Sequence, residues 1–172
     1  MRLEEFIQKL EELKPNIDDL VNSGYSLEFA KTTTERLDIK LKKGSLNNIS
    51  NSKIVDLLTK YELSLFSINN VTFSDVLRKI NGLLVIANIE GGYLMLDEES
   101  YEIFVVYADD IENRDTLICD NEESFLKILL IAFDYDSKVY KKEVLGIDNK
   151  VREDFIKKCE LISPFGFFEP LF

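Results

Sequence analysis

The sequence predicts an α+β fold in one domain, residues 1–172, with a helical part over about 1–62 and a sheet with further helices over about 69–172. Three observations carry this. Apolar residues recur at helical spacing near both ends of the chain. Gly82-Leu-Leu-Val-Ile-Ala-Asn-Ile89 is a short, β-branched apolar run, the signature of a strand buried on both faces, although periodicity alone also fits a buried helix. Beyond the break at Gly91-Gly92, Tyr93-Leu-Met-Leu96, the polar Asp97-Glu-Glu-Ser100 and Tyr101-Glu-Ile-Phe-Val-Val-Tyr107 have the layout of an antiparallel hairpin with a loop of about four residues.

Taken in order, Leu3, Phe6, Ile7, Leu10 and Leu13 form one apolar stripe that Pro15 ends. Asn16 is a good N-cap for a short helix through Ile17, Leu20 and Val21, with Gly24 as its stop. Ser26 can cap a third helix that turns Leu27, Ala30, Leu37 and Leu41 inward, against the weak helix propensity of Thr32-Thr-Thr34. Lys42–Ser52, rich in Ser and Asn, reads as a loop joining the helical layer to the sheet. Ser52 caps a helix bearing Ile54, Leu57, Leu58 and Tyr61, and Asn69-Asn70 turns the chain into a first strand, Val71-Thr-Phe73. After the hairpin come a charged loop, Asp109–Asp115, and a short edge strand, Thr116–Ile118. Asp120-Asn-Glu-Glu123 has the D-x-x-E spacing of a capping box, with Asp120 as N-cap, for a helix that buries Phe125, Leu126, Leu129, Leu130 and Phe133. Asp148 can cap a last helix through Val151, Phe155, Ile156 and Cys159. The tail Ser163–Phe172 is too apolar to stay in water and is expected to dock on the core.

Charge is distributed unevenly. Glu90–Glu123 holds twelve acidic residues and one basic residue, Arg114, while the rest of the chain balances, so this stretch accounts for the whole net charge of -11. Such a surface repels nucleic-acid backbones and anionic membranes and suits a basic protein. With no histidine in the chain, Ser-His-Asp and Cys-His catalysis and the common His-containing zinc sites are excluded. No run approaches the ~18 apolar residues that cross a bilayer, and Met-Arg-Leu-Glu-Glu is unlike a signal peptide, so the expected location is the cytoplasm. Cys119 and Cys159 lack CxxC or zinc spacing and are expected to be reduced, part-buried thiols.

Other chemistries find less support. Asp97-Glu98-Glu99 and Asp109-Asp110 lack the ordered ligands and distal Glu of a calcium loop. Asp97 and Glu102 could pair for acid/base work across the hairpin, but no Trp accompanies them as a sugar platform. Gly91-Gly92 is not GxGxxG, and no phosphate-binding GxxxxGK[ST] occurs. No enzyme activity and no cofactor are expected. A solvated acidic face without a specific partner is the competing reading of the charge.

Tyr93-Leu-Met-Leu-Asp97 followed by Glu98-Glu-Ser-Tyr-Glu-Ile-Phe104, and Cys119-Asp-Asn-Glu-Glu-Ser-Phe-Leu126, resemble the SUKH superfamily of Smi/Knr-like bacterial immunity proteins. The first resembles the family's strand, polar turn and returning strand; the second resembles its short strand and S-F-x-x-F-L helix. The likeness spans the middle third of the chain. The N-terminal part departs from the pattern, because Leu13-Lys14-Pro15 lacks the glycines that usually follow the leucine-proline entry. The resemblance implies a twisted, mostly antiparallel sheet packed against N-terminal and C-terminal helices, and a role in neutralising a toxin by binding it. Combined with the charge, it makes a basic toxin, such as a nuclease, the expected partner. Asp97, Glu98, Glu99, Asp109, Asp110, Glu112 and Asp115 are the expected contact residues, since they hold the excess charge and sit at turns. The alternative is an intracellular protein-binding or regulatory scaffold module of the same fold.

Overall fold

The computed structural model describes residues 1–43, 50–111, 114, 116–144 and 149–171. The chain has an α+β fold. Helices α1 (Leu3–Leu13), α2 (Ile17–Asn22) and α3 (Leu27–Arg36) come first, then β1 (Lys40–Leu41), α4 (Lys53–Lys60) and β2 (Tyr61–Glu62). Strands β3 (Ser67–Ile68), β4 (Val71–Ile80), β5 (Leu83–Ile89), β6 (Gly92–Leu96), β7 (Ile103–Tyr107) and β8 (Thr116–Cys119) follow, and α5 (Glu122–Tyr140) and α6 (Asn149–Glu160) close the chain. The large sheet has six strands in sequence order, each antiparallel to its neighbour, while β1 and β2 form a separate pair.

The caps at Asn16, Ser26 and Ser52 form as the sequence indicates. Asn16 Oδ1 accepts from the Asp19 amide at 2.8 Å and Asp19 returns the bond to the Asn16 amide, while Ser26 and Ser52 accept from the amides of Phe29 and Val55. Elsewhere the structure corrects the sequence. The N-cap of α5 is Asn121, whose Oδ1 accepts from the Ser124 amide at 2.8 Å; Asp120 lies outside the helix and accepts from Asn121 Nδ2. Helix α3 stops at Arg36, so Leu41 lies exposed on β1 and Leu27 also faces water. Tyr61 belongs to β2, Leu130 is only half-buried, and the strand starting at Val71 runs on to Ile80. Residues 44–49 of the expected loop and the expected cap Asp148 lie outside the described residues.

Strand β5 is buried on both faces, and a bulge sorts its residues. Val85 pairs with Met95 and Ala87 with Leu94, leaving Ile86 as the extra residue. Ahead of that step Leu84 points to the helices and Leu83 and Val85 to the opposite face; beyond it Ile86, Ala87 and Ile89 all join the helix side. One continuous core therefore contains Phe6 and Leu10 of α1, Leu57 of α4, Leu126, Leu129 and Phe133 of α5, Phe155 of α6 and the near face of the sheet. Residues from both the first 62 positions and the later part of the chain share it. The opposite face carries a smaller cluster, Leu83, Val85, Met95 and Val106, rimmed by Ile80, Tyr93, Phe104 and Ile111.

The tail docks in part. Phe168 and Leu171 are buried, and the Phe167 amide donates to Leu117 O at 2.9 Å, covering part of the β8 edge. Phe165 remains 90% exposed.

Candidate partner-binding surface

The β6–β7 turn is built around Asp97. Its Oδ1 accepts from the amides of Glu99 at 2.9 Å and Ser100 at 3.4 Å, and its backbone carbonyl accepts from the Tyr101 amide at 2.8 Å. This local bonding is the usual reason Asp nucleates turns. It brings Tyr101 into the left-handed region, at φ 62°. The other Asp97 oxygen faces Arg114 at 3.3 Å, and Glu98 is ion-paired with Lys79. Of the three carboxylates at this turn, Asp97 and Glu98 are half-buried and Glu99 is exposed.

Asp109 and Asp110 are exposed at the far end of the same hairpin. Gly92 pairs with Tyr107 and Leu96 with Ile103, so strand length separates the two acidic groups by ~14 Å. That exceeds the Debye length of ~8 Å at physiological salt, so they act as two patches rather than one field. Glu112 and Asp115 lie outside the described residues.

The connection that carries Asp109 and Asp110 is tied back across the sheet. Ile111 packs on the small cluster, its carbonyl accepts from Asn81 Nδ2 at 3.3 Å, and Arg114 donates to Asn81 O at 3.2 Å as well as to Asp97. Thus Arg114, the one cation of the acidic stretch, joins the β4–β5 turn, the β6–β7 turn and this strap. Sequence spacing gave no sign of that role.

A second feature escaped the sequence reading. Glu122, 6% exposed, does not serve its own helix. Its carboxylate accepts from Ser52 Oγ, from the Lys53 amide at 3.0 Å and from the Ile54 amide at 3.1 Å. It therefore fills the anion-binding end of α4 from across the fold, where free amides and the helix dipole favour negative charge. Glu123, expected to close a capping box, instead faces the amino group of Met1 at 2.9 Å and Lys127 at 2.9 Å, which hold its carboxyl down at about 2.

The chemistry available here is electrostatic and polar. Among the described residues no group of three or more His, Cys, Asp or Glu is placed to hold a metal ion. Cys119 and Cys159 are fully buried free thiols; burial pushes Cys159 up to about 12 and Cys119 higher still, so neither is a thiolate at neutral pH. Among the described residues no helix is long and apolar enough to cross a membrane. Compared with known proteins, the chain matches no family model, no curated protein and no solved structure.

Proposed function

We propose that the chain is a non-enzymatic, cytoplasmic immunity protein that binds and neutralises a cognate basic toxin such as a nuclease. The observation that carries this is the confinement of the whole net charge to Glu90–Glu123, with Glu99, Asp109 and Asp110 presented to water at turns. The likeness of the β6–β7 hairpin and the β8–α5 junction to the SUKH pattern points the same way. Because Asp97 and Glu98 already hold Arg114 and Lys79, Glu99 and Asp109 do most of the long-range steering. Steering speeds encounter more than it slows escape, so added salt lowers the on-rate before it raises the off-rate.

The test is co-expression with a toxin domain encoded beside the gene. The protein is expected to restore growth and to form a complex of fixed stoichiometry on gel filtration. Reversing Glu99, Asp109 and Asp110 to Lys is expected to cut the association rate at least roughly tenfold, whereas reversing Glu4 and Glu5 on α1 leaves it within about twofold. Failure to protect, together with stable binding to a host regulatory protein, would favour the scaffold reading. Equal effects of the two charge reversals would make the acidic stretch a solubility feature.

A further inference from the structure

A hollow of about 280 Å³ lies between Tyr107, at the end of β7, and Phe167, in the tail; Asn70, Glu90, Arg152 and Glu169 complete its wall. Both aromatic rings stay substantially in water, Tyr107 at 38% and Phe167 at 42% exposure. Backbone contacts fix the chain at both positions. The Ala108 amide donates to Gly91 O at 2.9 Å, and β7 approaches β6 so closely that a side chain on Gly92 would meet Val106 O at 2.5 Å. Phe167 is anchored through its amide to Leu117 O, and Gly166 beside it has no room for a Cβ, which would lie 2.2 Å from Ile118 O. The backbone that carries each ring is thus fixed, and the rings themselves stand part-exposed at the surface.

We infer that this hollow receives an arginine side chain of the basic partner, an inference that rests on the reading of the partner as basic. Charge complementarity selects the occupant. Glu90 and Glu169 bring two carboxylates to the wall, Asp109 and Asp110 lie two and three residues beyond Tyr107, and Arg152, the one cation among the described residues of the wall, is paired with Glu169 at 3.6 Å. An anion is repelled, and a purely apolar group leaves the carboxylates facing it. A guanidinium satisfies both kinds of wall, because its plane stacks on aromatic faces while its edge donates two parallel bonds to a carboxylate. Lysine offers a point charge without the stacking plane. Buried aromatic and arginine contacts of this kind dominate interface energetics, so the hollow would set specificity while Glu99 and Asp109 set the rate.

The test uses fluorescein-labelled peptides of nine arginines and of nine lysines, followed by fluorescence anisotropy at low salt, on the full chain and on Tyr107→Leu, Phe167→Leu and Glu99→Gln. The leucine variants keep apolar bulk and remove the ring; thermal melts check that they fold. The arginine peptide is expected to bind roughly fivefold or more tightly than the lysine peptide, and each leucine variant to lose about five- to tenfold for arginine and most of that preference. Glu99→Gln is expected to change arginine affinity by less than about twofold. If folded leucine variants retain the arginine preference, or if neither peptide binds, the hollow is not an arginine site. The first outcome leaves the basic-partner reading standing, and the co-expression test decides that reading independently.

Discussion

On one face of the sheet, Leu84, Leu94, Leu96 and Ile103 are sealed beneath α1, α4, α5 and α6; on the other, Val85, Met95 and Val106 reach full burial within a rim of part-buried side chains that includes Ile111 of the β7–β8 connection. The first arrangement needs elements from the whole chain, so cost is shared and cooperative. The second is closed by a rim of part-buried side chains, Ile80, Tyr93, Phe104 and Ile111, and by a few polar ties at the surface, Asn81 to Ile111 and Arg114 to Asn81 and Asp97. Thin cover of this kind belongs to the low-stability end of a protein, where opening is local. Asp109 and Asp110, both exposed, immediately precede Ile111 in this strap. The two faces of the sheet thus differ in how they are closed, and substitutions on either one test that difference.

The largest expected effect is at Glu122, on the helix side. Its carboxylate serves the Ser52 hydroxyl and two amides at the start of α4. Glu122→Ala leaves those donors without that acceptor in a buried place, and the loss is about 3 kcal/mol by the cost of stranding polar groups; Glu122→Gln, which keeps an acceptor, is expected to lose about half. Urea denaturation measures both. An unchanged midpoint for the Ala variant would show that water replaces the carboxylate and that the helix side is less closed than its geometry indicates.

What the sequence made legible was local. Caps at Asn16, Ser26 and Ser52, the α1 stripe and the β6–β7 hairpin depend on residues within a few positions of each other, and each was readable. Residues 74–80 were not readable as strand because β4 makes an excursion there: Phe73 pairs with Ala87 and Arg78 with Val85, which throws Val76 and Leu77 into water and erases alternation. At the start of α5 the D-x-x-E spacing from Asp120 competed with Asn121 and Ser124 at the same spacing, and the backbone chose the latter. Glu122 and Ser52 lie seventy residues apart, beyond any periodic signal. The strap was illegible for a related reason, since Ile111 is its one apolar contact with the small cluster among the described residues, and its polar ties reach residues far away in sequence. Of the expected contact residues, the turn logic placed Glu99, Asp109 and Asp110 in water, but it could not foresee that Arg114 and Lys79 occupy Asp97 and Glu98.

A smaller effect, with a pH signature, is expected at Asp136 on α5. Burial raises its carboxyl to about 6, against the Asn69 amide and Arg36, which pull it down; Tyr140 lies close to it on the same helix. The folded state therefore holds this proton more tightly than the unfolded chain, whose carboxyl titrates near 4. The stabilisation is present below about pH 4 and is lost as pH rises through about 6, on the order of 2 kcal/mol in all. Asp136→Asn keeps an acceptor for the Asn69 amide without the charge. It should be more stable than the parent at pH 7 and lose most of that advantage by pH 4; equal advantages at both pH values would show that Asp136 is hydrated in the folded protein.

The smallest expected effect tests the strap itself. Ile111 is only half-buried, so Ile111→Ala removes part of a side chain's transfer energy, about 1 kcal/mol, by comparison with about 1.5–3 kcal/mol for a fully buried residue of this size. A cavity penalty adds little, because the site opens to water and collapses easily. The global midpoint in urea should therefore move slightly, while hydrogen exchange speeds at the strap and at the β6–β7 turn that Arg114 ties to it, and stays unchanged along α5. That pattern would place the strap in its own opening unit, separate from the helix side. The same variant should keep its association rate with a basic partner, since the carboxylates remain, but should dissociate faster if the strap's set conformation is part of what the partner grips. A loss of stability as large as that of Glu122→Ala, with faster exchange along α5, would mean that the two faces form one cooperative unit.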